Sequence, residues 1–459
     1  MVKINVSLPQ GTRDFGPEVV RKRNYIINTI KEVFERYGFQ PLETPAMENL
    51  ETLMGKYGEE GDKLIFKILN NGLNDPKNIE KSKAGFEKAL AGKNDANLTE
   101  RALKYDLTIP FARYVAMNYN QLSFPFKRYQ VQPVWRADRP QKGRYREFYQ
   151  CDADVVGSTA LLNELELANI YHDVFTRLKI DGYELRINSR KILAALAETC
   201  GGVDKMTEIT VAIDKLDKIG LDKVKEELSQ RGLNTEQISR IEKYLSIAGT
   251  NTEKLEKINK LLGSSETGRE GMEELHYITH SELLSPDLNI IIDFTLARGL
   301  NYYTGIIFEA KAPAEVKMGS IGGGGRYDDL TGLFGVPDIP GVGISFGVDR
   351  IYDVLDELKL FPEELQVSTQ VLFFNTGTEE SNRAFSAMQQ LRSKGIRCEL
   401  FHESVKFDKQ FKYAEKKNIP FVVIIGRTEL EASTCIVKDL RKGEQQIIPV
   451  VNLGNISFI

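Results

Sequence analysis

The stretch from Phe126 to Val156, FKRYQVQPVWRADRPQKGRYREFYQCDADVV, limits what this chain can fold into more than any other. Successive side chains of a strand point to opposite faces, so alternation decides which face meets a core. In the first run Tyr129, Val131, Pro133 and Trp135 share one side, and Arg128, Gln130, Gln132 and Arg136 share the other. In the second, Tyr149, Cys151, Ala153 and Val155 oppose Gln150, Asp152 and Asp154. The pattern predicts a hairpin with one apolar face. Most alternating hairpins are simply half exposed, with a wet face of Thr, Lys and Glu. Here that face carries arginine, glutamine and aspartate, which suits the floor of a binding site. The connecting loop, ADRPQKGRYR, holds four cations and suits contact with phosphate.

The surroundings of the hairpin read as a β-rich domain with a helical interruption. Val19, Ile26, Ile27, Ile30, Val33, Phe34 and Tyr37 recur at helical spacing over 18–37, and Gly38 supplies a stop. The next run, FQPLETPAMEN, is extended, and its two prolines argue against a central strand. Residues 72–98 are polar and rich in breakers, which predicts a mobile loop or insertion. Helical patterns then dominate 190–280, including NTEQISRIEKYL with Asn234 as cap and Gln237 three residues on. Strand-like, glycine-rich sequence returns from Leu288 to Gly347, so residues 195–280 or thereabouts read as an insertion inside the first domain. After the helix VDRIYDVLDELKL, FPEELQVSTQ is a plausible linker. The last 92 residues alternate strand and helix, predicting a small α/β domain with parallel strands. The expected division is 1–360 and 368–459.

Composition narrows the function classes. At 459 residues the chain has material for two or three domains. Its net charge of -4 excludes a polycation that coats nucleic acid indiscriminately. Residues 368–459 hold 13 Lys+Arg against 10 Asp+Glu, or +3, leaving -7 for the rest, an asymmetry that fits an RNA-facing end. Cys151, Cys200, Cys398 and Cys435 show no C-x-x-C spacing, so no disulfide or zinc site is expected and a reducing compartment fits. His276 and His280 are four apart with no third ligand nearby, and no metal site is expected there. The start of the chain lacks a signal-peptide layout, and no stretch has the apolar length to span a bilayer. A cytoplasmic protein with no membrane partner is expected. Gly322 to Gly325 lack the phosphate-loop pattern, so close backbone approach to a ligand or a neighbouring strand is the expected role.

The R-x-(loop)-G-R-Y-R-E-F-Y-Q pattern resembles motif 2 of the class II aminoacyl-tRNA synthetases in its histidyl form. The helix 18–37 with the run ending near Pro45 resembles motif 1, which in that family builds the dimer interface. GVGISFGVDRI resembles motif 3. LARGLNYYTG and GGGGRYDDL are similar to elements peculiar to histidyl-tRNA synthetases, and YAEKKNIPFVVIIG to their anticodon-binding domain. The resemblance implies an α+β catalytic domain whose sheet is mostly antiparallel, six-to-seven-stranded and flanked by helices. It also implies a helical insertion, a C-terminal α/β anticodon-binding domain, and a homodimer. The implied activity is loading of histidine onto its tRNA, with ATP as substrate and Mg2+ as companion ion.

Activation of an amino acid is an in-line attack by a carboxylate on the α-phosphate of ATP. The nucleophile is already ionised, so the site must supply positioning and cations rather than a general base. Arginine suits this, being always charged and able to grip phosphate through two bonds. The resemblance assigns Arg136 to the α-phosphate and carboxylate, Arg350 to the γ-phosphate, and Arg298 to catalysis at the α-phosphate. Histidine itself needs acceptors for its ammonium and ring N–H. The resemblance assigns Asp106, Thr108 and Gln150 to the amino group, Asp154 to the ring, and Tyr302 and Tyr303 to the pocket wall. The family usually has Asp where this chain has Asn301, a change that keeps shape and loses charge. Three competitors remain: a catalytically inactive synthetase-like regulator, a class II synthetase for another amino acid, and a pure RNA-binding module. Both motif arginines and the C-terminal domain tell against the first, ARGLNYYTG against the second, and the arginine set against the third.

Overall fold

The computed structural model describes residues 6–55, 61–297 and 302–458. The chain divides into two compact units, one of residues 23–360 with the N-terminal segment up to Asp14, the other of Phe15–Lys22 with the chain from Phe361 onward.

In the first unit the strands are β1 (Gln40–Pro41), β2 (Met47–Asn49), β3 (Lys67–Ile68), β4 (Arg101–Leu103), β5 (Phe126–Trp135) and β6 (Glu147–Val156). They continue with β7 (Glu184–Ser189), β8 (Ile290–Ile292), β9 (Ile306–Lys311), β10 (Ser320–Tyr327) and β11 (Gly341–Gly347). Eight of these form one sheet in the order β1-β5-β6-β11-β10-β9-β7-β8, and β2-β4-β3 form a small second sheet. The large sheet is parallel only at its edges, β1 with β5 and β7 with β8; the pairings between are antiparallel. Six or seven strands were expected. The excess lies in the edges, where β1 has two residues and β8 three, too short for alternation to announce them.

The hairpin forms with Phe126 opposite Val156 and Trp135 opposite Glu147. Its apolar face is sealed by two helices, Pro17–Arg36 and Leu162–Arg177. Phe34 of the first packs 5.7 Å from the Tyr129 ring and 5.9 Å from that of Phe346 on β11. Tyr171 of the second lies 4.8 Å from Phe346. Ile26, Ile30, Val33 and Phe34 are buried, a stripe at spacings of three and four. Fully burying each such side chain contributes about 1.5–3 kcal/mol. The helix ends at Gly38, whose φ of +79° is the left-handed turn that glycine adopts without strain.

Residues 72–98, expected to be a mobile loop or an insertion, contain the helix Ile79–Leu90. Their polar side chains are spent on local closure. Asn78 Nδ2 donates to Gly72 O at 3.1 Å, Asn70 Nδ2 to Ala96 O at 2.7 Å, and Lys88 pairs with Asp95 at 2.6 Å. Gly85 is buried where Leu98 Cβ would stand 3.2 Å from an added Cβ, so a missing side chain replaces the apolar stripe that periodicity looks for.

Between β7 and β8 the chain runs through helices from Arg190–Thr199 to Glu266–Thr279. The capping box of Asn234 and Gln237 forms, and Thr250 with Glu253 makes another. Lys254 Nζ donates to Ile292 O at 2.6 Å, tying the helix Asn251–Leu262 to β8.

The second unit carries β12 (Val371–Phe373), β13 (Cys398–Leu400), β14 (Phe421–Ile424), β15 (Thr434–Asp439) and β16 (Gln445–Pro449), in the order β13-β12-β14-β15-β16. The first three are parallel as expected, but β15 and β16 are antiparallel. The reason is chain length. A parallel return needs a crossover of a dozen or more residues, and only 425–433 separate β14 from β15. Val371, Phe373 and Val423 face one apolar layer, Leu372, Phe374 and Val422 the other.

Candidate active site

The face of the large sheet opposite the sealing helices bears a cavity of about 530 Å³, and against it a second chamber of about 40 Å³. Arg136, Gln150, Tyr303, Gly323 and Ser345 line both. Arg350 and Glu309 line only the larger; Asp106, Thr108, Asp152, Asp154, Tyr302 and Tyr327 line only the smaller. The polar face of the hairpin is therefore buried beneath a cavity rather than solvated. Arg128 and Gln130 are 0% exposed, Asp154 2% and Asp152 3%.

The larger cavity holds three arginines, Arg136, Arg144 and Arg350, beside the acids Asp138, Glu309 and Asp349. Arg136 follows directly on β5; its Nε donates to Tyr105 O at 3.0 Å and its guanidinium lies 4.2 Å from the Tyr105 ring centroid. Among the described residues it forms no ion pair, so these contacts orient the charge without cancelling it. Arg350 sits in the first turn of the helix Val348–Glu357, with Nε donating to Gly143 O at 2.9 Å and Nη1 to Ser320 O at 2.6 Å. Its neighbour Asp349 is engaged by Arg13, at 2.5 Å, and by Arg23. The hairpin loop divides its cations. Lys142 pairs with Glu357 at 3.1 Å and Arg146 donates to Asp138 O, both structural contacts, while Arg144 lines the cavity.

The smaller chamber is acidic. Asp106 stands just before the helix Thr108–Asn118; its Oδ1 accepts from Ile109 N at 3.1 Å and its Oδ2 from the Tyr302 hydroxyl at 3.2 Å. Asp154 Oδ1 accepts from the Tyr327 hydroxyl at 2.6 Å. Its Oδ2 is 2.9 Å from Arg128 Nη2, an ion pair whose angle does not make a hydrogen bond. Gln150 Nε2 donates to Ser345 Oγ at 2.9 Å. Gln150 Oε1, Asp152 Oδ1 and Asp154 Oδ2 are thus buried acceptors without a hydrogen bond. Such atoms are costly unless a donor arrives. Burial pushes the Asp152 carboxyl up to about 7, against the pull of Arg128 and helped by Asp154. Burial also raises Asp154, with Arg128 and the Tyr327 hydroxyl opposing. The Tyr303 phenol is raised by burial and then by Asp154, Asp106 and Asp152, so it stays a neutral donor.

Glycine makes room for this arrangement. A Cβ on Gly324 of β10 would stand 2.7 Å from Ile344 Cα on β11, so that glycine serves strand approach. Gly323 meets only Phe308 O, at 3.4 Å, and lines the cavity, as Gly324 also does.

The structure brings Asp106, Thr108, Arg136, Gln150, Asp154, Tyr302, Tyr303 and Arg350 around the two adjoining spaces. Arg298 and Asn301 lie outside the described residues. Sequence reasoning passed over Asp152, Tyr327 and Ser345 as site residues. Asp152 had a signal, sharing the polar face with Asp154; Ser345 had none, because only the β6–β11 register carries it there. His276 and His280 stack at 4.2 Å, and no group of three metal-ligating side chains converges among the described residues.

Residues 90–351 match the family model for histidyl-tRNA synthetase, and residues 370–456 that for an anticodon binding domain. The histidine–tRNA ligase of Christiangramia forsetii is 52% identical over 445 residues, covering 96% of both chains. The chain belongs to the histidyl-tRNA synthetase family. The histidyl-tRNA synthetase of Nostoc sp. PCC 7120 has the same fold, with a TM-score of 0.81 and 34% identity over 99% of each chain. A Bacillus halodurans C protein described as an ATP phosphoribosyltransferase regulatory subunit/histidyl-tRNA synthetase is 20% identical, with a TM-score of 0.69, over 90% of this chain and 97% of its own; it shares the fold alone. As a histidyl-tRNA synthetase family member, the chain has the class II catalytic fold with a separate C-terminal anticodon-binding domain. No helix among its described residues is long and apolar enough to cross a membrane.

Proposed function

We propose that this chain is a histidine–tRNA ligase that forms histidyl-adenylate and then esterifies its tRNA, with the two adjoining spaces as its ATP and histidine sites. As a member of its family it is an ATP-dependent aminoacyl-tRNA ligase whose substrates are histidine and tRNA. One observation carries the residue assignment: a cavity walled by arginines abuts a chamber of buried, unfilled acceptors. Phosphates suit the first and a ligand rich in N–H donors suits the second.

In the first step a histidine carboxylate oxygen attacks the α-phosphorus and pyrophosphate leaves. Arg136, held by Tyr105, stabilises charge on the α-phosphate and aligns the carboxylate; Arg350 holds the γ-phosphate. Arg298 keeps the family's catalytic assignment at the α-phosphate. The ammonium group donates to Asp106, Thr108 and Gln150, and the ring N–H to Asp154, with Tyr302 and Tyr303 as walls. In the second step a terminal ribose hydroxyl of the tRNA attacks the histidyl carbonyl and AMP leaves. A site that pairs with a ring N–H rejects apolar isosteres, which would leave its acceptors unpaired.

Magnesium bound to the ATP phosphates would offset their charge. Asp138, Glu309 and Asp349 line the larger cavity, and carboxylate oxygens such as theirs are what this hard ion takes. A homodimer built on the helix Pro17–Arg36 and a cytoplasmic location complete the proposal.

The test is ATP–pyrophosphate exchange, run with histidine and with each other amino acid. Exchange with histidine alone, lost in Arg298→Ala and Arg136→Ala, is expected. No exchange with any amino acid would turn the assignment toward an inactive regulator, with Asn301 the first suspect. Asn301→Asp is expected to match or exceed the parent; an inactive parent rescued by that change overturns the claim that Asn serves.

A further inference from the structure

Arg128 has been assigned no substrate group, although it is ion-paired with Asp154. It is a fully buried arginine on β5 beneath the acidic chamber. Its Nη2 stands 2.9 Å from Asp154 Oδ2 and donates to Leu107 O at 3.2 Å. Its guanidinium rests 4.1 Å from the Phe111 ring centroid. Leu107 lies between Asp106 and Thr108, so one guanidinium grips two of the segments that carry the histidine-binding groups: β6 and the start of the helix Thr108–Asn118. Nε and Nη1 are buried without a hydrogen bond. Removing a guanidinium from water and leaving two donors unmet is unfavourable for stability alone, and isosteric apolar side chains commonly do better in such places.

We propose that Arg128 is a positioning residue for amino-acid recognition, acting through Asp154 to hold that carboxylate ionised and aimed at the substrate ring. This rests on the assignment of Asp154 to the ring N–H. The physical need is plain from the groups facing Asp154. Asp152 shares its strand face, Asp106 stands across the chamber, and the Tyr327 and Tyr303 hydroxyls border it. Arg136 also lines the chamber, but Arg128 is the cation ion-paired with Asp154. With it gone, burial and neighbouring acids favour the protonated carboxyl, which offers its O–H and presents one acceptor fewer.

The experiment is the pH dependence of histidine KM and of kcat in ATP–pyrophosphate exchange, on the full chain. The variants are Arg128→Met, Arg128→Lys, Asp154→Asn and the neutral double Arg128→Met/Asp154→Asn. Arg128→Met is expected to raise histidine KM about 10- to 100-fold near pH 7 and leave ATP KM unchanged. The defect should shrink as pH rises and Asp154 ionises, a trend that a merely structural loss does not produce. Arg128→Lys should restore part of the affinity. In the Asp154→Asn background, Arg128→Met should add nothing further to KM, and the double variant stays measurable if the single one folds poorly. A raised KM in Asp154→Asn with no change in Arg128→Met, or additive losses in the double variant, overturns the role of Arg128 alone. An unchanged KM in Asp154→Asn overturns the assignment of Asp154 and this proposal with it.

Discussion

Gly343 offers the sharpest test of the acidic chamber, because it has no side chain and no assigned substrate contact of its own. It lies on β11 opposite Asp154 of β6. A Cβ at this position would stand 2.5 Å from Asp154 Cγ, closer still to Oδ1, and 3.1 Å from Ala153 O. Carbon atoms pack comfortably at about 3.5 Å, so Gly343→Ala demands a retreat of about 1 Å. The backbone on both sides is laddered, and Asp154 is the softer party. Moved by that amount, its 2.6 Å bond from the Tyr327 hydroxyl opens to about 3.6 Å, which is no longer a hydrogen bond. One charge-assisted hydrogen bond is worth about 1.5–3 kcal/mol. At 1.4 kcal/mol per decade, histidine KM should rise about 10- to 150-fold. ATP KM should stay, since Arg136 and Arg350 are held by other carbonyls. The assay is exchange against histidine concentration, with thermal melting to confirm the fold. A variant with parental melting and histidine KM within about twofold of the parent would refute the reasoning, for the carboxylate would then not need its place.

Other consequences follow from the same structure. Asp152 is an acid whose folded pKa is raised to about 7, so the folded chain binds the extra proton and stability falls as pH climbs from about 4 to about 7. The melting temperature of Asp152→Asn relative to the parent should therefore rise over that window; a flat difference contradicts the burial argument. Arg326 grips Glu164 through two bonds of 2.6 and 2.8 Å in the interior, and Arg326→Met should cost about 3–5 kcal/mol, read as a lowered unfolding midpoint of the first unit. Wild-type melting would mean that the pair is not the brace it resembles. Excising 206–245, which spares the helix tied to β8, should leave histidine activation near normal and depress tRNA charging. Unimpaired charging would mean that these helices take no part in holding the tRNA.

Much of the site was legible because its chemistry is written in strand alternation and short motifs. Period two placed Gln150 and Asp154 on one face, and Asp106 with Thr108 stood out in KYDLT. The same alternation put Arg128 on the polar face but could not say that the face was buried, because burial depends on what covers it. The helix Ile79–Leu90 was invisible for a related reason: local polar bonds and Gly85 hold it, not an apolar stripe. In the second unit, alternation of strand and helix was right, and the antiparallel end was decided by connection length rather than strand content.

By itself the sequence determined most of the elements, the family and many of the residues that line the two spaces, since periodicity and motif spacing are local properties of the chain. Tertiary structure alone decided that Ser345 meets Gln150, that Tyr327 meets Asp154, and that a buried arginine stands between two binding segments. Those contacts join residues far apart along the chain, from Leu107 to Arg128 and from Asp154 to Tyr327. Their distances are set by sheet register and by helices packed on the far face, which no local pattern encodes.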